Sequence, residues 1–172
     1  MTVRKLADLT EILRPRRRLL GLDLGERTIG LALSDMLRFV ASPLKTLERG
    51  KFSNDATKIL DICAEQDVAA LIIGLPINMD GTEGPRCQSV RAFARNFEAV
   101  FDMEIVFWDE RLSTVAVTRT MIEADLSRAR QKEVVDKMAA AYILQGALDF
   151  MANLDDGNSG GDDRDDWQRG NS

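Results

Sequence analysis

The segment Ala69–Leu75, AALIIGL, runs for seven residues without a polar side chain. A half-solvated strand would alternate apolar and polar residues, so a short and continuous run fits a strand covered on both faces. Covering a strand twice takes helices above and below the sheet, which defines an α/β layered domain. The flanking segments meet that demand. Leu19–Leu24 and Thr28–Ser34 read as a pair of strands, and Arg38–Pro43 as a third. Asn54–Glu65 is amphipathic at helical spacing, with Ser53 or Asn54 as its expected cap. Pro76–Gly84 reads as a loop, Pro85–Phe101 as a helix and Glu104–Trp108 as another strand. Helices over Ser113–Ala124 and Lys132–Met151 follow, separated by a basic loop with Arg128, Arg130 and Lys132. The order is βββαβαβαα. Three initial strands suit an antiparallel meander, and the later alternation suits right-handed crossovers to parallel strands. The expected fold is a mixed five-stranded sheet with helices on both faces.

With 172 residues the chain supports one folded body, assigned to residues 18–152. A leader over residues 1–17 precedes it, with Leu6, Leu9, Ile12 and Leu13 at the spacing of a short helix. The first twenty residues hold six basic against two acidic side chains. Arg14 and Arg16–Arg18 are either a solvated surface or a non-specific contact to phosphates. The tail, residues 153–172, holds six aspartates against two arginines and is expected to be disordered. The net charge of −5 therefore resides mainly in the tail and lends no support to nucleic-acid binding by the body. No apolar stretch approaches the roughly 20 residues that span a bilayer, and no secretory signal is present, so the expected setting is the cytoplasm, with no membrane partner. Cys63 and Cys87 form no metal-type pair, and Cys63, next to Ile59, Leu60 and Ile62, reads as a reduced core thiol.

The chain contains no histidine. Ser-His-Asp triads, Cys-His pairs, His-ligated zinc and histidine general bases are thereby excluded. Hydrolytic chemistry would have to come from carboxylates, lysine or hydroxyls.

Asp23 ends the apolar run Leu19-Leu20-Gly21-Leu22 and is followed by Leu24-Gly25 and a returning strand. A carboxylate on a mostly buried strand is costly unless something pairs with it, so Asp23 points to a metal or phosphate site. Ligands in such sheets gather beyond the carboxyl ends of the parallel strands. Two other strand ends carry polar groups: the loop Asn78-Met79-Asp80-Gly81-Thr82-Glu83, and Asp109-Glu110-Arg111. Asn78–Gly81 has the character of a turn, with Gly81 free to take positive φ. Asp136 lies in the first turn of the expected last helix, on a small-residue face with Ala139, Ala140, Ile143 and Ala147. That face would let the helix approach the sheet and bring Asp136 towards Asp23. The alternative is an acid placed there by the helix dipole. For Asp109-Glu110-Arg111 the alternative is an ordinary charged loop. Three carboxylates held together repel, and a hard cation such as Mg2+ or Mn2+ resolves the conflict with oxygen ligands alone.

Four segments carry a resemblance: GLDLGERTIGLALSD (Gly21–Asp35), IIGLPINMDGTEG (Ile72–Gly84), DERLST (Asp109–Thr114) and VDKMAAAYILQGALD (Val135–Asp149). They are similar, in order, to the signature blocks of the bacterial YqgF family, described as nucleases of precursor 16S rRNA and earlier as Holliday-junction resolvases. The resemblance implies a ribonuclease H-like fold and a nuclease site dependent on Mg2+ or Mn2+. It implies that the metal-holding acids are Asp23, Asp109 or Glu110, and Asp136. Glu110 is preferred over Asp109 because its longer side chain reaches further from the start of the loop. Asn78, Thr82 and Arg111, with Arg128 and Arg130 of the basic loop, become candidates for holding substrate phosphate or ordering the loop.

Three functions are compatible with these residues. The first is a nuclease processing the 5′ end of precursor 16S rRNA in ribosome biogenesis, with the precursor particle as a possible partner. The second is a resolvase of four-way DNA, which favours a two-fold dimer. The third is a ribosome-associated module that binds RNA without cutting it. An actin-like ATPase, which shares the Asp-x-Gly turn, would need two such domains, and the chain supplies one.

Overall fold

The computed structural model describes residues 3–112 and 128–158. Its strands are β1 (Val3–Arg4), β2 (Arg18–Leu24), β3 (Thr28–Ser34), β4 (Ala41–Glu48), β5 (Val68–Leu75) and β6 (Glu104–Asp109). Its helices are α1 (Leu6–Ile12), α2 (Phe52–Glu65), α3 (Pro85–Val100) and α4 (Arg128–Asn158), with a 3₁₀ turn over Glu110–Leu112. The expected helix over Ser113–Ala124 lies outside the described residues, as do the side chains of Arg128 and Arg130 and the chain beyond residue 158.

Ala70, Leu71, Ile72 and Ile73 have no exposed surface, because β5 lies inside the sheet, whose order is β1-β6-β5-β2-β3-β4. β2, β5 and β6 run parallel to one another, while β2, β3 and β4 form the antiparallel meander. The mixed sheet is thus present with all five expected strands. β1 adds a two-residue parallel edge beside β6, too short to register in any periodicity.

Side chains alternate between two cores. On one face Leu20, Leu22, Leu71 and Ile73 pack with α2 and α3. On the other, Leu19, Ala70, Ile72 and Val106 pack with α4. Leu6 and Leu9 of α1 are buried in this second core, so the leader contributes to it. Two arginines at the junction of leader and β2 also have structural bonds. Arg17 donates to the Val68 carbonyl at 2.6 Å and pairs with Asp67 at 2.9 Å, and Arg18 donates to the Gln66 carbonyl at 3.1 Å.

Local chemistry moves two expected boundaries. β4 begins at Ala41 and extends to Glu48, later than the expected Arg38–Pro43. The reason is Asp35, whose Oδ1 accepts the N–H groups of Phe39 and Val40 and folds residues 36–40 into the turn, with Arg38 at φ 58°. Those backbone donors, Val40 first, hold the Asp35 carboxyl below its ordinary value. β4 is an edge strand with exposed Pro43 and Lys45, and the β3–β4 register shifts between Leu31 and Ala32. Neither Ser53 nor Asn54 caps α2. The helix starts at Phe52, and buried Asp55 reaches back to accept the Gly50 N–H at 3.1 Å.

Both cysteines are buried and free. Burial pushes the Cys63 thiol up to about 12 and raises that of Cys87. Since the thiolate is the reactive form, neither should be modified by Ellman's reagent at pH 8 in the folded protein, and both should react once it is denatured. Rapid labelling of the native protein would contradict this packing.

Candidate active site

Asp23 is only 2% exposed and occupies the carboxyl end of β2, two positions beyond Gly21 and on the same face. That face is covered by α4. A Cβ on Gly21 would come within 2.8 Å of Leu144 Cβ and 2.9 Å of the Ala140 carbonyl oxygen. Directly opposite Asp23 on β3 is Gly30. A Cβ on Gly30 would overlap the carbonyl group of Asp136 and lie 2.9 Å from the Lys137 nitrogen. The backbone of α4 at Asp136 therefore rests on the β-strand partner of Asp23. Small residues on the helix make this approach possible: Ala139, Ala140 and Ala147 are buried against the sheet.

Asp136 is not in the first turn of its helix. α4 begins at Arg128, and Asp136 is eight residues further on. The helix dipole acts within the first turn, so it does not account for this acid. Instead, the Thr28 hydroxyl on β3 donates to Asp136 Oδ2. Thr28 lies two residues from Gly30, so it occupies the same face.

Glu110 and Asp109 separate by geometry. Glu110 opens the 3₁₀ turn after β6, and a Cβ on Gly74 would lie 2.8 Å from its Oε1. Gly74 and Asp23 each lie one residue beyond the paired Ile73 and Leu22. The Glu110 carboxylate thus sits above the end of β5, beside the strand that carries Asp23 and on the α4 face. Asp109 is engaged elsewhere: Arg111 Nε and Nη2 donate to its carboxylate at 3.0 and 2.7 Å. The Arg111 guanidinium holds the Asp109 carboxyl below the usual carboxylate range.

The loop after β5 is closed on itself. Asn78 Nδ2 donates to Thr82 Oγ1 at 3.0 Å, and that hydroxyl donates to Asp80 Oδ1 at 2.6 Å. Gly81 has φ 88°, the positive φ expected of it. Asn78 and Thr82 therefore order the loop. Arg111 neighbours it, with Nη1 3.7 Å from a Cβ built on Gly81. Glu83 pairs with Arg91 at 2.7 Å and ties the loop to α3.

The structure thus brings Asp23, Glu110 and Asp136 to one face at one end of the sheet. It does not draw them into a closed cage: among the described residues no group of three His, Cys, Asp or Glu side chains is placed to hold a metal ion. An all-carboxylate, open set is still compatible with Mg2+ or Mn2+, since Mg2+ is usually held by one or two carboxylates, with water and substrate phosphate completing its shell. Sequence reasoning missed Thr28, Gly30 and Gly74. Their signal was a hydroxyl and two glycines on the strands that flank Asp23.

The mixed sheet covered on both sides, with acids at the carboxyl ends of its parallel strands, has the ribonuclease H-like architecture that the resemblance implies. In agreement, the fold superposes on Thermus thermophilus RuvC solved in complex with a Holliday junction substrate. The TM-score is 0.50 at 11% identity, covering 80% of this chain and 96% of that one. Residues 17–150 match the family described as RuvX: Holliday junction resolvase, and the chain belongs to that family. All four signature segments fall inside the match. Similar curated proteins, each named "Putative pre-16S rRNA nuclease", come from Paramagnetospirillum magneticum and Methylocella silvestris. The first is 61% identical over 143 residues, 83% of this chain and 92% of the relative. The second is 55% identical over 151 residues, 88% of this chain and 94% of the relative. Membership places the chain among nucleases, enzymes that hydrolyse phosphodiester bonds.

Proposed function

We propose that this chain is a metal-dependent nuclease acting in the cytoplasm on the 5′ region of precursor 16S rRNA, with Asp23, Glu110 and Asp136 as its metal-holding acids. The observation that carries the reading is the placement of these three acids on one face at one end of the sheet: Asp23 at the end of β2, Glu110 just after β6, and Asp136 on the part of α4 that rests on Gly30. Asp23, Glu110 and Asp136 would hold Mg2+ or Mn2+, which would supply Lewis-acid polarisation of the phosphoryl oxygen and a lowered pKa for bound water. Asp23, fixed in the sheet, forms the floor of the site. Thr28 orients the Asp136 carboxylate, and Gly74 leaves the space that the Glu110 carboxylate occupies. Asp109 positions Arg111 next to the Asn78–Thr82 loop, from which Arg111 can meet substrate phosphate. Arg128 and Arg130 would extend the contact along the nucleic-acid backbone.

A second reading, resolution of four-way DNA, is favoured by the description of the matching family. One assay separates the two: precursor 16S RNA and a four-way junction are offered side by side in Mn2+. Cleavage of the RNA with the junction intact supports the first reading, and the reverse result supports the second. RNA binding without cleavage of either substrate would indicate a non-catalytic module. In the same assay Glu110→Gln should lower the rate about a hundredfold or more, in keeping with the several kcal/mol that bound metal contributes to such reactions. Asp109→Asn leaves the acid set intact and should cost far less. The opposite ranking would assign the metal to Asp109.

A further inference from the structure

Beyond the edge of the acid site lies a cleft of about 180 Å³, between the β2–β3 turn and the start of α3. It has room for several water molecules, each of which needs roughly 10–15 Å³ on this measure. Leu24, the neighbour of Asp23, forms part of its wall, together with Gly25, Glu26, Arg49, Arg86 and Ser89. Successive strand residues face opposite sides, so Asp23 faces α4 and Leu24 faces the cleft at the same end of the sheet.

Arg49 is fixed in place. Its Nη1 donates to the Gly25 carbonyl at 2.6 Å, and its guanidinium carbon lies 6.0 Å from the centre of the Phe93 ring. Its backbone N–H donates to the Arg27 carbonyl at 2.8 Å. Arg86 is exposed at the opposite wall. Among the described residues neither guanidinium has a carboxylate within ion-pairing distance, whereas Arg17, Arg91 and Arg111 each have one. Glu26 is the single acid lining the cleft, against two arginines. Planar guanidinium donors with spare N–H groups suit phosphate oxygens.

We propose that this cleft binds a backbone phosphate of the nucleic-acid strand next to the one cut, with Arg49 and Arg86 as its donors. The proposal rests on the nuclease reading of the acid site and extends it. A strand draped over the carboxyl edge of the sheet has one phosphate over Asp23 and a neighbouring one between the two arginines. Backbone contacts of this type fix register without reading sequence.

The test is binding of a fluorescently labelled single-stranded RNA, and of DNA of the same sequence, to the full chain in EDTA, followed by anisotropy across a salt series. Chelation removes cleavage, so the readout does not depend on the acid site. Arg86→Ala should weaken binding of both strands roughly tenfold, as expected for losing a hydrogen bond to a charged group. It should also flatten the dependence of log affinity on log salt by about one. Arg86→Lys should restore the salt dependence, and Arg95→Ala, elsewhere on α3, should bind as wild type. Arg49→Ala should behave like Arg86→Ala, with its thermal midpoint recorded because Arg49 also tethers the turn. Wild-type affinity and slope in Arg86→Ala and in the double variant would overturn the subsite, as would a wild type that binds neither strand. Weakened binding by the variants of a protein that cleaves nothing would leave the subsite standing and remove the nuclease reading. Full cleavage with unaltered binding would do the reverse.

Discussion

Asp23→Asn should lower the rate of phosphodiester cleavage by about a thousandfold or more while the protein stays folded. The side chain is 2% exposed and opposite Gly30, so its position is set by the sheet rather than by a mobile loop. Asparagine has nearly the same shape but lacks the negative charge that would hold a hard cation. Metal-assisted stabilisation of a phosphoryl transfer is worth several kcal/mol, and each 1.36 kcal/mol is a factor of ten. Removing the best-fixed of the proposed metal-holding acids should remove most of it. Initial rates in excess Mn2+, with circular dichroism melting of the same samples, would check both halves. Retained cleavage would remove Asp23 from the chemistry; lost cleavage with a collapsed melting curve would leave only a structural role.

Gly30→Ala should produce the largest stability loss of any single methyl addition at this site, about 3 kcal/mol, the upper end of the usual range for overpacking. In a chain of this length that corresponds to a fall in thermal midpoint of roughly 6–12 °C. The new methyl would meet the backbone of α4 at Asp136 and Lys137, and a helix backbone cannot rotate aside. Gly74→Ala provides the contrast. There the obstruction is the end of the Ile143 side chain and the Glu110 carboxylate, 2.8 Å away. Ile143 can change rotamer, so the stability cost should be near 1 kcal/mol, while cleavage should fall sharply as Glu110 is displaced. Thermal melts and rates on the two variants would test this ordering. Equal stability losses would show that α4 is not seated on Gly30 as described.

Much of this was legible in the sequence because it depends on apolar patterning. The run AALIIGL announced an inner strand, and the alanines at 139, 140 and 147 announced a helix lying close to the sheet. The strand ends at Asp23 and Asp109-Glu110 followed from where the apolar residues stop. Features set by single polar contacts were not legible. The Asp35 carboxylate, gathering two backbone N–H groups, displaced the start of β4, and Asp55 took the role expected of Ser53 or Asn54. Asp136 was misplaced along its helix because the periodic residues mark the buried face and not the first turn. The different surroundings of Asp109 and Glu110 were not legible either: Arg111 bonds the first, and Gly74 makes room for the second.

The outer edge of the sheet bears on how two copies could cooperate. Open strand edges invite pairing between molecules, and proline, lysine and local register breaks are devices that prevent it. β4 has all three: Pro43, exposed Lys45 and the shift opposite Leu31 and Ala32. A continuous sheet running through two subunits across β4 is therefore disfavoured. Paired incisions on a symmetric branched substrate would need the subunits to meet elsewhere than along β4, with both acid sites left open to the strands they cut.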